Sequence, residues 1–260
     1  MHSCLNESAS PVSGVRLWTA HLEALTPAEA KDLGAHLDPV ERARAAQFHF
    51  ERDRRHYVAA RGLLRCLLGA ALNEHGSAVV FEYGAHGKPA LAAANHPESR
   101  LCFNLSHSAG WVMFAIVQNR EVGIDLENAA RLDQNDEDLS HLAARVLSAG
   151  ELAIWQTLPQ PAARRAAFLR AWTRKEAYAK ATGRGVFEVL TRIEVVLDAT
   201  APRKSLTIRS SAGSDGLTND WLMHDLVAPE GFAAALAVEQ RSEEDVASGD
   251  EAELAAIDHA

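Results

Sequence analysis

The chain has 260 residues, 47% of them hydrophobic and 23% charged, which suits one large or two small globular domains. No apolar run approaches the roughly 20 residues that cross a bilayer. Met1 to Gly14 has neither the basic start nor the apolar core of a secretory signal, so a cytoplasmic protein without membrane contact is expected. The net charge of −9 argues against a general nucleic-acid binder.

That charge is uneven. Residues 241–260 carry seven acids and one arginine, whereas residues 42–65 hold seven arginines against two acids. A basic stripe in an acidic protein suits a small polyanion or an acidic protein surface. Cys4, Cys66 and Cys102 are odd in number and form no C-x-x-C pair, which supports neither a disulfide framework nor a zinc ribbon.

In chain order, residues 1–14 are small and polar and are expected to be a flexible segment. Thr26-Pro27-Ala28-Glu29 and Asp38-Pro39-Val40-Glu41 are capping-box helix starts with proline at the first helical position. A long helix is predicted from Glu51 to Leu72, with Tyr57, Ala60, Leu64, Leu67, Leu68 and Ala71 as its apolar face and Arg54, Arg61 and Arg65 beside it. Val79 to Tyr83 is strand-like and Gly84 to Pro89 a turn. Leu101, Phe103 and Leu105 alternate before Ser106-His107-Ser108, and Val112 to Val117 is a continuous apolar strand. A turn at Gln118 to Glu121 is expected to join it to Val122–Leu126 as a hairpin.

Asn128 to Ser140 reads as a loop, with helical texture from His141 and a capping box at Ser148-Ala149-Gly150-Glu151. A helix over Phe168 to Ala181 ends near Gly183 and Gly185. Four strand-like runs follow, Arg192–Leu197, Ser205–Arg209, Trp221–Val227 and Phe232–Val238, and then an acidic tail from Arg241. The pattern is α+β, with no internal repeat detectable in the residues.

Chemistry concentrates in two places. In a strand over Val122–Glu127, Val122, Ile124 and Leu126 share one face, and Gly123, Asp125 and Glu127 the other. The two carboxylates either bind one hard cation or mark a strand end. On the later helix, Phe168, Trp172, Glu176 and Lys180 are four apart and lie along one line. Glu176 is then either an inward carboxylate that needs a cation or lysine, or half of an exposed pair with Lys180. Ser106 and His107 point to opposite faces of a strand, and no G-x-S-x-G elbow is present, so a serine nucleophile is disfavoured and anion binding suits them better. Phosphate-loop, dinucleotide and H-E-x-x-H motifs are absent.

Gly87-Lys88-Pro89, Phe103-Asn104-Leu105-Ser106-His107-Ser108, Gly123-Ile124-Asp125-Leu126-Glu127 and Trp172-Thr173-Arg174-Lys175-Glu176-Ala177-Tyr178-Ala179-Lys180 together resemble the motifs of the 4′-phosphopantetheinyl transferases, in the family's order and over roughly residues 35–240. The length is similar to that of the larger, monomeric class acting on peptide and polyketide synthases.

The resemblance implies two similar α+β halves about a pseudo-twofold axis, residues 15–119 and 120–240, with the active site between them. It implies transfer of phosphopantetheine from coenzyme A to a serine of an apo acyl or peptidyl carrier protein, with release of 3′,5′-ADP. Asp125, Glu127 and Glu176 match magnesium ligands, and Glu176 and Lys180 the catalytic pair. Lys175, Lys180, Ser106 and His107 match residues that hold or flank the coenzyme A phosphates. Gly87, Lys88 and Pro89 match the turn beside the adenine, and Arg44 a basic residue for the 3′-phosphate, with Arg54 and Arg61 as substitutes. His56 and Glu41 depart from the pattern, standing where relatives carry cations. The rival readings are another magnesium-dependent phosphohydrolase and a non-catalytic coenzyme A or carrier-binding module.

Overall fold

A computed structural model of the chain describes residues 4–132, 136–197, 206–207, 209–210 and 221–240. The acidic tail from Arg241, and Ser205 and Ile208 of the Ser205–Arg209 run, lie outside the described residues. The first part contains β1 (Leu5–Ser8), β2 (Val15–His21), α1 (Pro27–Ala35), α2 (Pro39–Ala46), α3 (Glu51–Leu72), β3 (Phe81–Tyr83), β4 (Pro89–Leu91), β5 (Leu101–Ser108) and β6 (Trp111–Gln118). The second contains β7 (Val122–Asn128), α4 (Asp136–Val146), α5 (Ala149–Thr157), α6 (Pro161–Thr182), α7 (Val186–Val189), β8 (Ile193–Glu194), β9 (Leu206–Thr207), β10 (Arg209–Ser210), β11 (Trp221–Leu226) and β12 (Phe232–Glu239).

All three capping boxes form: Thr26, Asp38 and Ser148 each accept from the backbone N–H of Glu29, Glu41 and Glu151, and each glutamate returns a bond to its cap. The long first helix has the predicted bounds and ends at Asn73 in the left-handed region. Four expectations change. Residues expected to be flexible supply β1, which pairs antiparallel with β2 (Leu5 opposite Ala20). Asn128–Ser140 is not one loop, because α4 starts at Asp136 and buries Leu139, Ala143 and Val146. The helix predicted from Phe168 starts at Pro161. The hairpin across Gln118–Glu121 does not form: β6 is already paired on both edges, by β2 and β5, so β7 crosses to a second sheet after a turn through Asn119 at φ +56°.

The two sheets run β1-β2-β6-β5 and β7-β12-β11-β9, all pairs antiparallel. One face of each meets the other: Val15, Leu17, Met113 and Ala115 pack with Ile124, Leu126, Leu236 and Val238. The opposite face of the first sheet, with Trp18, Phe103, Phe114 and Ile116, buries the apolar side of α3. That of the second, with Met223, Ala235 and Ala237, buries α6. Strands buried on both faces explain why residues 112–117 read as one apolar run.

The halves repeat one plan. β2-β6-β5 corresponds to β7-β12-β11, and α3 and α6 have 22 residues each. A buried glutamate at the third position of a short helix meets a cation 24 residues later on the long helix, as Glu41 with Arg65 (2.6 Å) and again as Glu151 with Lys175 (2.6 Å). Each cation then donates to carbonyls of the segment that follows: Arg65 to Gly76 and Val79, Lys175 to Leu190 and Ile193. Both cations are fully buried. Burial pulls the Lys175 ammonium below the usual lysine range, and Glu151 opposes the shift. Removing one partner of such a pair typically costs about 3–5 kcal/mol, because the other charge is stranded.

Helix α6 lies unusually close to β7. A Cβ on Gly123 would stand 2.0 Å from the Ala177 carbonyl oxygen and 2.4 Å from the Ala181 nitrogen. Both obstacles are helix backbone, so only glycine permits this approach. We expect Gly123→Ala to destabilise the fold by about 3 kcal/mol or more in urea unfolding, since α6 must shift bodily. An unchanged midpoint would contradict this packing.

Candidate active site

The outer edge of β7 is not covered by a strand. Instead Asn104 Oδ1, Ser106 Oγ and Ser108 Oγ of β5 accept from the backbone N–H groups of Ile124, Leu126 and Asn128, at 3.0, 3.2 and 3.2 Å. Polar residues at every second position of β5 thus bridge the two sheets. Ser106 also donates to Asp125 Oδ1 (3.0 Å) and accepts from Lys180 Nζ (2.9 Å). Its oxygen also accepts from the Leu126 N–H, so its proton and both lone pairs are engaged within the protein.

Between Ala167 and Ala181, the half-buried positions of α6 are Arg170, Trp172, Glu176 and Lys180, and the rest are buried. The line of residues four apart is therefore a stripe opening on a cleft, neither a core seam nor a solvent face. Lys180 Nζ bonds Asp125 Oδ1 at 2.6 Å. Trp172 Nε1 donates to Glu127 Oε1 (3.1 Å), and Arg131 to Glu127 Oε2 (2.9 Å). Asp125 is buried, and its Oδ2 has no hydrogen-bond partner. Burial pushes the Glu176 carboxyl up to about 7; Asp125 and Glu127 add to the shift and Lys180 opposes it. Three carboxylates and one lysine therefore share a low-dielectric cleft.

Two cavities flank this cluster. One of about 320 Å³ is lined by Lys88, Pro89, Leu105, Glu176, Lys180 and Arg184. The other, about 500 Å³, lies on the far face of β5 and is lined by Glu23, Arg52, His56, Tyr57, His107 and Trp111. His107 is thus on the opposite side of the strand from Ser106, as the period of two requires. Burial, Lys180 and His56 hold its imidazole below the usual histidine range.

Comparisons with known proteins match both halves. The model described as 4′-phosphopantetheinyl transferase, N-terminal, covers residues 24–119, and that of the 4′-phosphopantetheinyl transferase superfamily covers residues 121–237. The 4′-phosphopantetheinyl transferase HetI of Nostoc sp. is 37% identical over 224 residues, 86% of this chain and 87% of the relative. The chain belongs to the 4′-phosphopantetheinyl transferase superfamily. The L-aminoadipate-semialdehyde dehydrogenase-phosphopantetheinyl transferase of Homo sapiens is 28% identical over 187 residues, 70% of this chain and 60% of the relative. The 4′-phosphopantetheinyl transferase psf-1 of Bacillus pumilus is 31% identical over 177 residues, 66% of this chain and 70% of the relative.

The remaining transferase motif residues divide by location. Lys175 is fully buried in its pair with Glu151, away from the half-buried stripe of Trp172, Glu176 and Lys180. Arg61 is likewise turned inward, bonding Glu41 (2.6 Å) and the Tyr83 hydroxyl (3.0 Å), which spends it on structure. Glu41, which departs from the family pattern, holds two arginines, Arg61 and Arg65. Arg54 pairs with Glu51 on the exposed start of α3, and Arg44 is exposed on the last turn of α2. Asn104, Ser108 and Trp172 stand in the quoted motifs without an assigned contact, and Arg131 in none; the structure gives all four a partner on β7. The alternation Asn104, Ser106, Ser108 within an apolar strand was the available signal for the first two.

Register explains why the site occurs once. Val15 lies opposite Val117, and Val122 opposite Val238, so aligning the halves puts Trp18 at the place of Asp125 and Ala20 at that of Glu127. Aligning the buried cations puts Cys66 at the place of Glu176 and Ala70 at that of Lys180.

Sign follows from the Glu176 shift. Below its ordinary range both folded and unfolded chains are protonated there. As pH rises from about 4.5 to about 7 the unfolded chain releases the proton first, so stability falls and stays lower above 7. In EDTA, Glu176→Gln should stabilise the fold by on the order of 1–3 kcal/mol at pH 8 and leave it unchanged at pH 4. Equal unfolding midpoints at pH 8 would refute the buried cluster.

Proposed function

We propose that this chain transfers the 4′-phosphopantetheine group of coenzyme A to a serine hydroxyl of an apo acyl or peptidyl carrier protein, releasing 3′,5′-ADP. The observation that supports it most is Glu176, held near neutrality between Asp125 and Glu127 and one helical turn from Lys180.

The family resemblance implies magnesium. As the side chains stand, Lys180 occupies Asp125, Trp172 and Arg131 occupy Glu127, and no three acidic, histidine or cysteine side chains among the described residues converge enough to enclose an ion. The donor set nevertheless fits a hard cation: oxygen ligands only, an unpartnered buried Asp125 Oδ2, and a glutamate whose ionisation its neighbours oppose. Asp125, Glu127 and Glu176 would hold it, and it would neutralise charge on the pyrophosphate.

The chain's own groups do the rest. The carrier serine Oγ attacks the β-phosphorus and forms the Ser–O–P bond. The bond from that phosphorus to the bridging oxygen breaks, and 3′,5′-ADP departs. Glu176 takes the serine proton as general base. Lys180 offers its ammonium to the leaving phosphate. Gly87, Lys88 and Pro89 form the wall beside the nucleotide. Arg44 and Arg54 on the same half supply positive charge for the 3′-phosphate, and His107, whose imidazole is held toward its neutral form, supplies a ring N–H donor. No helix among the described residues is long and apolar enough to cross a membrane; the monomer is what the family resemblance implies, and the cytoplasmic location is what the composition and N-terminus suggest.

Incubation with coenzyme A, magnesium and a panel of apo carrier proteins should add the phosphopantetheine mass to at least one, read by intact mass. Glu176→Gln should abolish that transfer while coenzyme A still binds within about tenfold. Near-normal turnover by this variant would remove Glu176 as the base. Equal affinity for coenzyme A and dephospho-coenzyme A would favour a phosphohydrolase instead.

A further inference from the structure

The β3–β4 turn belongs to the first half of the fold but fastens to the second. Gly87 turns it at φ +79°. Lys88 Nζ then crosses the cleft to bond the Ala181 carbonyl of α6 at 2.6 Å and Glu121 Oε2 at 2.5 Å. Ala181 O is one of the last four carbonyls of α6, which have no partner within the helix, and a cation is favoured at that end. The lysine stem runs past Gly183, where a Cβ would lie 3.7 Å from Lys88 Cδ. His86 sits beside Gly185 and places Nε2 3.7 Å from Glu188 Oε1. Turn and helix end together form opposite walls of the 320 Å³ cavity that also contains Glu176 and Lys180.

We propose that the Gly87-Lys88-Pro89 turn is a clasp between the two halves, in which Lys88 is a positioning residue that sets the width of this cavity and does not serve as a ligand for the phosphates of the cosubstrate. Two of its three N–H donors are committed to protein oxygens on the other half. Its charge is balanced by Glu121 in place of an anion. Glycine at 183 ends α6 in the left-handed region, at φ +66°, beside the lysine stem.

Glu121 makes the proposal testable, because the two roles of Lys88 predict opposite signs. If Lys88 bound phosphate, Glu121→Gln would free the ammonium and leave coenzyme A binding equal or tighter. If Lys88 is a clasp, the same change loosens it. Hydrogen exchange on the ligand-free chain, which does not depend on the transferase reading, should show at least tenfold faster exchange in residues 81–91 and 183–188 for both Lys88→Met and Glu121→Gln. The kinetic arm rests on that reading: both variants should raise KM for coenzyme A about tenfold with kcat within about threefold, and Lys88→Arg should recover most of the loss. Unchanged exchange in the ligand-free variants, or tighter coenzyme A binding by Glu121→Gln, overturns the clasp whether or not the chain is a transferase.

Discussion

Three backbone N–H groups on the open edge of β7 need acceptors, and side chains of β5 provide them. That constraint orders the rest of the structure. Asn104, Ser106 and Ser108 fix the register between the sheets. Ser106 then serves both needs at once, holding the β7 backbone and the Asp125–Lys180 pair. A buried polar network is stabilising only when its members are satisfied, and in this one Asp125 Oδ2 is left without a hydrogen-bond partner.

The second constraint is the close approach of α6 to β7 at Gly123. Because the helix sits directly on the strand, Glu176 and Lys180 reach the same low-dielectric space as Asp125 and Glu127. Alanines at 235 and 237 on β12 keep the rest of that face low. The buried Glu151–Lys175 pair holds α6 from its other side against the start of α5. Packing on both sides of α6 holds the stripe from Trp172 to Lys180 in place.

The fold repeats one plan in two halves whose residues at matching positions differ. The glutamate–cation pair at a spacing of 24 persists in both, since each long helix must be anchored to its short neighbour. The chemistry does not persist. Trp18 and Ala20 fill the positions that Asp125 and Glu127 hold in the second half, which gives the first sheet an ordinary hydrophobic contact with α3. The first half contributes to the site through side chains of β5 and the turn around Lys88.

Much of this was legible in the residues. Capping boxes, the bounds of α3 and the alternation on β7 follow from local chemistry, which acts over a few residues. The helical line through Glu176 and Lys180 does too. The grouping of Asp125, Glu127 and Glu176 came from the family resemblance, and only their common cleft gives it a physical basis. What tertiary structure decided is everything that depends on which edge or face was already occupied. β7 could not form a hairpin with β6 because β2 and β5 had taken both its edges. Lys175 and Arg61 were turned inward by glutamates 24 and 20 residues away. Lys88 found its partners 33 and 93 residues along the chain. Local sequence sets which residues can act; long-range packing, by consuming some charges and leaving others open, selects the ones that do.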